Sequence, residues 1–138
     1  MVDDIVLNKV ATIERSVARV QEVHAGQEEH LTKDFTKQDS IVLNLQRACE
    51  ASIDLAMHIV RMRRLGVPQD SRSAFELLQS GSVLNRELSE QMQHMVGFRN
   101  IAVHDYTNLN LAIVHAIITE HLSDFLAFTK KMLSLRQA

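Results

Sequence analysis

The stretch of sequence that decides the fold runs from residue 41 to residue 62 and reads IVLNLQRACEASIDLAMHIVRM. Apolar and small residues recur in it every third or fourth position, as they do on one face of an α-helix. This first row consists of Ile41, Leu45, Ala48, Ser52, Leu55, Ile59 and Met62. A second row on a different face consists of Val42, Cys49, Ile53, Ala56 and Val60. The two rows predict a helix that contacts neighbours on both sides, as a central or an interface helix does.

The segments around this stretch predict three more long helices and one short helix. Apolar seams at helical spacing run through each of them, and capping residues precede them. The predicted helix starts are Asp3 or Asp4, Thr36-x-x-Asp39, Ser73-x-x-Glu76, Asn85 and the segment 107–110. No alternation typical of β-strands appears. We therefore predict an all-α fold, an up-and-down four-helix bundle with one additional short helix, in a single domain over residues 1–138.

Composition and charge limit the classes of protein and site. A net charge of −2 gives no global attraction to nucleic acid, so RNA binding would need a local basic patch. Cys49 is the only cysteine, which excludes an internal disulfide and suits a reducing cytoplasm. The acidic N-terminus is not followed by a long apolar run, so we expect a cytoplasmic protein without a membrane span. The histidines lack the spacing of a zinc site, and we expect neither metal nor cofactor.

The candidate chemistry lies in residues 99–106, which read RNIAVHDY. Arg99 offers a fork of donors that fits phosphate, and His104 moves protons near neutral pH. The spacing Arg-x4-His is weak by itself, but Arg-Asn-x3-His-x-Tyr has a chance on the order of 10⁻⁴ in this composition. On a continuous helix, Arg99 and His104 would point about 140° apart. Their convergence therefore requires a helix break after about Val103 or a second subunit.

These residue types are sufficient for RNA cleavage without a metal ion. The His104 imidazole would take the proton of the ribose 2′-hydroxyl, and Arg99 would stabilise charge on the phosphorane. Asn100 would orient His104 or a phosphate oxygen. One histidine does not easily act as base and acid on opposite sides of one phosphate, so a second subunit would supply the missing group. The alternative is a helix-terminal arginine and a capping histidine that only tie two helices together.

Two other groups of residues are weaker candidates. Asp54 and His58 are four residues apart, within reach of each other on one helix face. They would either line the active-site cleft, with Asp54 in a supporting role, or form an ordinary exposed pair. Four arginines are candidates for contacts with RNA phosphates. The alternative, for those at the end of the helix, is a favourable interaction of the cations with the negative end of the helix dipole. The four arginines are Arg47, Arg61, Arg63 and Arg64.

The segment Gly97–Asn100 together with His104–Tyr106 resembles the HEPN superfamily, and within it the HepT-like toxins that pair with MNT-type nucleotidyltransferase antitoxins. Weaker similarity extends over nearly the whole chain, in residues 44–48, 54–58, 67–68 and 73–78. Asp105 stands where many relatives carry glutamate. The resemblance implies an endoribonuclease toxin of a type VII-like system, a homodimer whose motifs face each other with Arg99 and His104 as catalytic residues.

The resemblance also implies a role for Tyr106, the only tyrosine in the chain. In such pairs the cognate nucleotidyltransferase transfers AMP from ATP onto this hydroxyl and thereby neutralises the toxin. The alternative for Tyr106 is a ring that packs and hydrogen-bonds locally. Two alternatives for the whole protein also stay open. One is a non-catalytic HEPN partner that scaffolds a nucleotidyltransferase or presents its substrate, and the other is a helical interaction module with a purely structural motif.

Overall fold

The computed structural model describes residues 3–135, and in this range the chain consists of helices joined by short loops. The α-helices are α1 (Asp4–His24), α2 (Glu29–Thr32), α3 (Phe35–Met62), α4 (Ser71–Ser80), α5 (Arg86–His104), α6 (Leu111–Ala116) and α7 (Leu122–Ser134). A 3₁₀ turn, Tyr106–Asn108, follows α5, and a π-helical turn, Ile117–His121, joins α6 to α7. No strand occurs among the described residues, and the predicted all-α fold is confirmed.

The long helices form a bundle whose ring is closed. Helix α1 packs against α3, α3 against α5, α5 against α7, and α7 against α1. Because short connections make consecutive helices antiparallel, the arrangement is the predicted up-and-down bundle. Helix α4 is the additional short helix and packs against α3 and α5. Its Phe75 ring meets Phe128 of α7 edge to face, with centroids 5.7 Å apart, and the Phe75 carbonyl accepts a hydrogen bond from Ser89 Oγ at 3.0 Å.

Helix α3 is the centre of the bundle. Both rows of apolar and small residues on it are buried, with the exception of Met62, which is 54% exposed. They are covered by α1, α4 and α5 of the same chain. Of the two predicted explanations, a central helix is therefore confirmed, and these rows do not indicate a subunit interface.

Two helix starts differ from the prediction. Helix α3 is capped by Asp34, whose carboxylate accepts from Lys37 N at 3.0 Å, and Thr36 lies inside the helix. Helix α4 is capped by Asp70, and Ser73 is its third residue. Both segments contain several residues able to cap, and the cap is the one whose backbone is extended. The predicted caps Asp3 and Asn85 are confirmed.

The helical unit Leu111–Ser134 is long and apolar enough to cross a membrane by length and composition alone. Core helices of bundles pass the same test. Here Phe125, Phe128 and Met132 are fully buried in the bundle core, as core helices require. The absence of a membrane span stays a prediction, as does the extent of the domain, since residues 1, 2 and 136–138 lie outside the described range.

Candidate functional site

The motif lies at the end of α5, and the helix is unbroken through His104. The first non-helical residue is Asp105, with φ −150° and ψ 50°, and its N–H still donates to the Ile101 carbonyl at 2.8 Å. Arg99 and His104 therefore leave one continuous helix about 140° apart. The helix break comes after His104, at Asp105. Of the two predicted routes to convergence, a helix break before His104 is absent, and a second subunit stays a prediction.

Arg99 is half-buried between three helices. Its Nη2 donates to Ser71 Oγ, in the first turn of α4, at 3.2 Å. Its guanidinium also lies near Cys49 of α3: burial raises the pKa of the Cys49 thiol, and the Arg99 charge opposes that shift. Arg99 Nε is buried and has no hydrogen-bond partner among the described residues. Arg99 is thus a cation held in place by Ser71 and by burial between the helices.

A second arginine, which was not among the predicted site residues, lies beside the motif helix. A Cβ placed on Gly97 would come within 2.7 Å of Arg72 Nη2, so the Arg72 guanidinium rests on α5 two residues before the motif. Arg72 follows Ser71, the residue that binds Arg99. Glycine inside a helix is unfavourable by about 1 kcal/mol relative to alanine. Gly97 in the helix was therefore the feature from which a close neighbour could have been predicted.

His104 and Asn100 lie on the exposed side of α5. They are four residues apart, which places them on the same face of the helix. Neither side chain makes a hydrogen bond or ion pair with another residue of the described chain. The predicted orientation of His104 by Asn100 is therefore not made here, although the spacing allows it. The His104 imidazole is open to a substrate or to a second subunit.

Tyr106 begins the 3₁₀ turn after α5 and is tied to α3. Its hydroxyl donates to Asp39 Oδ1 at 2.7 Å. Burial, and after it the hydrogen bond and charge of Asp39, raise the pKa of Tyr106 to about 12. The ring is still 40% exposed. Asn108 holds the turn by donating to both carboxylate oxygens of Asp105, at 2.9 and 3.0 Å. Asp39, predicted as part of a helix cap, is instead the hydrogen-bond acceptor for Tyr106.

Asp54 and His58 do not form the predicted pair. Asp54 binds Lys9 of α1 at 3.0 Å, and both side chains are partly exposed. The His58 ring is buried and lies 2.8 Å from Asp3 Oδ2. Both therefore face α1 and its N-terminal cap, whereas Arg99 lies at Cys49, where α3 faces α5. The structure does not bring Asp54 to the motif, and its supporting role stays a prediction.

The arginines predicted to contact RNA lie at two distant places on α3. Arg61, Arg63 and Arg64 are exposed at its C-terminal end. Arg61 is 22 residues beyond Asp39, a distance of about 33 Å along the helix axis. Of these four arginines, only Arg47 lies in the half of α3 to which Tyr106 is tied.

Among the described residues, no group of three or more histidine, cysteine, aspartate and glutamate side chains could hold a metal ion.

The sequence matches the family described as Ribonuclease HepT-like over residues 13–132. It is similar to an mRNA nuclease HepT of Shewanella oneidensis, with 51% identity over 126 residues, or 91% of this chain and 94% of that protein. The fold is similar to a tri-AMPylated HEPN toxin of Shewanella oneidensis solved in complex with an MNT antitoxin. The TM-score is 0.91 at 48% identity, over 96% of this chain and 99% of that chain. A toxin–antitoxin crystal structure with AMP-PNP gives a TM-score of 0.92 at 47% identity, over 96% of this chain and 100% of that chain. The chain therefore belongs to the HepT-like ribonuclease family of HEPN proteins.

Proposed function

We propose that this protein is the toxin of a type VII-like toxin–antitoxin pair, a metal-independent endoribonuclease that uses Arg99 and His104 at a homodimer interface. The observation that carries the proposal is the end of α5. There an exposed, unbonded imidazole and a half-buried guanidinium held by Ser71 stand in the pattern Arg-Asn-x3-His-x-Tyr. The similarity to an mRNA nuclease supports RNA as the substrate. A cytoplasmic location follows from this substrate and is part of the proposal.

The proposed reaction is an in-line transesterification within RNA. One His104 imidazole takes the proton of the ribose 2′-hydroxyl, and the oxygen attacks the adjacent phosphorus. The bond from phosphorus to the 5′-oxygen breaks, and that oxygen takes a proton from the imidazolium of a second chain. Arg99 donates to the non-bridging oxygens, where negative charge develops. The products are a 2′,3′-cyclic phosphate and a 5′-hydroxyl, and each step uses only groups of the two protein chains and the RNA.

A second copy of the chain is part of this site because α5 separates Arg99 from His104. Apolar side chains exposed around the motif support such pairing. Ile101 and Val103, on the last turn of α5, are 42% and 43% exposed, and Ile113 of α6 is 49% exposed. Covering them with the same residues of a second copy would remove apolar surface from water. Light scattering should report a stable dimer of the 15.7 kDa chain.

The proposed antitoxin is an MNT-type nucleotidyltransferase that modifies Tyr106. The Tyr106 oxygen attacks the α-phosphorus of ATP, pyrophosphate leaves, and a base accepts the phenolic proton. With a pKa of about 12, Tyr106 is a neutral phenol at physiological pH and needs that base. The first AMP places a phosphodiester anion on Tyr106, two residues from His104, and each further unit adds another anion to the tail. These charges repel RNA, and the nucleosides fill its path. A relative is tri-AMPylated in complex with its MNT antitoxin, which supports this proposal.

One observation favours a second candidate function, a non-catalytic HEPN partner of a nucleotidyltransferase. Arg99 and His104 leave different sides of one continuous helix. A scaffold does not require these two side chains to act together, so this arrangement agrees with a non-catalytic role. The two functions share a fold, so only activity separates them. A scaffold would bind the nucleotidyltransferase but would neither cleave RNA nor arrest growth.

The test of ribonuclease activity is expression of the chain alone, followed by analysis of total RNA. Wild type should arrest growth and produce fragments with 2′,3′-cyclic phosphate ends, while Arg99→Ala and His104→Ala should do neither. His104 is exposed and Arg99 lies near a helix end, so both variants should keep the circular dichroism of wild type. Purified wild type should cleave RNA equally well in EDTA. Intact RNA with wild type, or cleavage that requires an added divalent ion, contradicts the proposal.

The test of neutralisation is co-expression with the cognate nucleotidyltransferase. The mass of the wild-type chain should rise by whole AMP units located at Tyr106. Tyr106→Phe removes the nucleophile but leaves Arg99 and His104 in place, so it should remain toxic and resist neutralisation. If Tyr106→Phe is neutralised and the wild-type chain stays unmodified, neutralisation is by binding alone and the modification proposal fails.

A further inference from the structure

A pocket of about 460 Å³ opens between α1 and α3, beside the acceptor of the Tyr106 hydroxyl. Its α1 wall carries Arg15 and Arg19, and its α3 wall carries Asp39, Ser40 and Arg47. Typical small-molecule sites enclose roughly 300–1,000 Å³, so this volume suits a nucleotide better than a bare ion. We refer to it as the arginine pocket.

The charges in the arginine pocket favour an anion. Three arginines and a single carboxylate residue, Asp39, line this pocket, although the chain as a whole has a net charge of −2. Arg19 is bonded to Glu22 at 2.7 Å, outside the pocket lining. The side chains of Arg15 and Arg47 make no hydrogen bond or ion pair with other residues of the described chain. Their planar donor groups are therefore available to phosphate oxygens, which they fit in bidentate fashion.

Asp39 connects the pocket to Tyr106. It lines the pocket and also accepts the Tyr106 hydroxyl hydrogen bond at 2.7 Å. The tyrosine oxygen is thus bonded to a residue of the arginine pocket, whereas Arg99 lies elsewhere, against Ser71 and Cys49. Phosphate attached to Tyr106 has the arginine pocket as its neighbouring cationic site.

We propose that the arginine pocket binds the phosphodiester groups of AMP units attached to Tyr106, with Arg15, Arg19 and Arg47 as the phosphate ligands. This inference rests on the proposed function, because it presumes that Tyr106 is modified. It assigns a docking place on the toxin's own surface to the product of that modification. Arg47, a candidate for RNA contact in the sequence, receives a different role.

Esterification of Tyr106 itself favours transfer of the attached phosphate from Asp39 to the arginines of the pocket. The phenolic hydrogen is replaced by phosphorus, so Tyr106 can no longer donate to Asp39. The new phosphodiester anion is also repelled by the Asp39 carboxylate, which lay 2.7 Å from the same oxygen. The arginines next to Asp39 attract the anion. Arg47 is eight residues beyond Asp39, about 12 Å along the helix axis, so the row of cations extends far enough for a tail longer than a single phosphate.

The experiment measures how well the pocket protects the tail. Wild type, the double variant Arg15→Gln with Arg47→Gln, and the control Arg86→Gln are each modified by the cognate nucleotidyltransferase and purified. Arg86 is a matched exposed arginine, at the start of α5 and bonded to Glu90. Intact-mass spectrometry selects material with equal numbers of AMP units. A phosphodiesterase that removes nucleotides is then added, and loss of AMP is followed with time.

We expect the double variant to lose AMP about tenfold faster than wild type and Arg86→Gln, a factor that corresponds to about 1.4 kcal/mol at 25 °C. Equal rates in all three overturn the inference while leaving the proposed function intact. A second result also overturns the inference: the unmodified double variant no longer cleaves RNA, while its AMP tail is removed at the wild-type rate. In that case the pocket binds RNA and not the tail. A wild-type chain that receives no AMP at Tyr106 overturns both. The single variants, treated in the same way, replace the double variant if it is not modified.

Discussion

Equal amounts of wild-type and His104→Ala chains, allowed to exchange subunits, should retain about a quarter of the RNA cleavage of the same total amount of wild type. The value follows from the proposed two-chain site. Helix α5 presents one motif imidazole per chain on an unbroken helix, so the proposal requires the base and the acid to come from different chains. Random pairing gives about a quarter wild-type dimers and about half mixed dimers. A mixed dimer lacks one proton-transfer group, and such groups contribute about 10²–10⁴-fold. Its cleavage is therefore negligible.

The assay is a titration at constant total chain concentration. The two chains carry different affinity tags, are unfolded and refolded together, and are checked for random pairing by native mass spectrometry. Cleavage should fall as the square of the wild-type fraction. The matched control is His94→Ala, another exposed histidine of α5 outside the motif, whose admixture should leave cleavage unchanged. A linear decline, with about half the activity at equal amounts, would refute the two-chain site.

Three further predictions concern two contacts that the structure adds to the motif. Because burial and then Asp39 raise the pKa of Tyr106 to about 12, Asp39→Asn should lower its ultraviolet titration midpoint part of the way to about 10, and an unchanged midpoint would contradict the contact. Because the fold favours the neutral phenol, Tyr106 should contribute to the free energy of unfolding below pH about 10, and this contribution should be lost as the pH rises through about 12. Denaturation at several pH values measures it. Gly97→Ala should raise the free energy of unfolding by about 1 kcal/mol in an Arg72→Ala background. In wild type the gain should be smaller, because the new Cβ would lie 2.7 Å from Arg72 Nη2. Equal gains in both backgrounds, measured by chemical denaturation, would show that the two residues do not touch.

The long helices could be predicted because each must bury an apolar row, and burial leaves a period in the sequence. The same period does not say what covers a face. The second row of α3 therefore agreed equally well with an interface and with a central helix, until its neighbours within the chain were known. Helix starts were less certain where several capping residues follow one another. Asp34 and Asp70 cap α3 and α4 because their backbones are extended, a property that side-chain chemistry does not reveal.

At the site, the motif was visible in the sequence and its surroundings were not. Asp39 and Tyr106 are 67 residues apart, and no local pattern links them. Asp54 illustrates the opposite error. Its local pairing with His58 was plausible on one helix, but Lys9 of α1 lies close enough to bind Asp54 instead. Contacts between distant segments decide such competitions, and only the fold brings those segments together.

The unbroken helix α5 also has a consequence for dosage. If one chain cannot complete the site, toxicity depends on how many chains the cell contains at once. Below the dissociation constant of the dimer, the active species grows as the square of the chain concentration, so doubling the number of chains gives about fourfold more active enzyme. A few chains made by leaky expression would then damage little RNA, whereas a burst of synthesis would damage much. On the proposed two-chain site, the geometry of a single helix therefore makes damage to RNA rise more steeply than the number of unmodified chains.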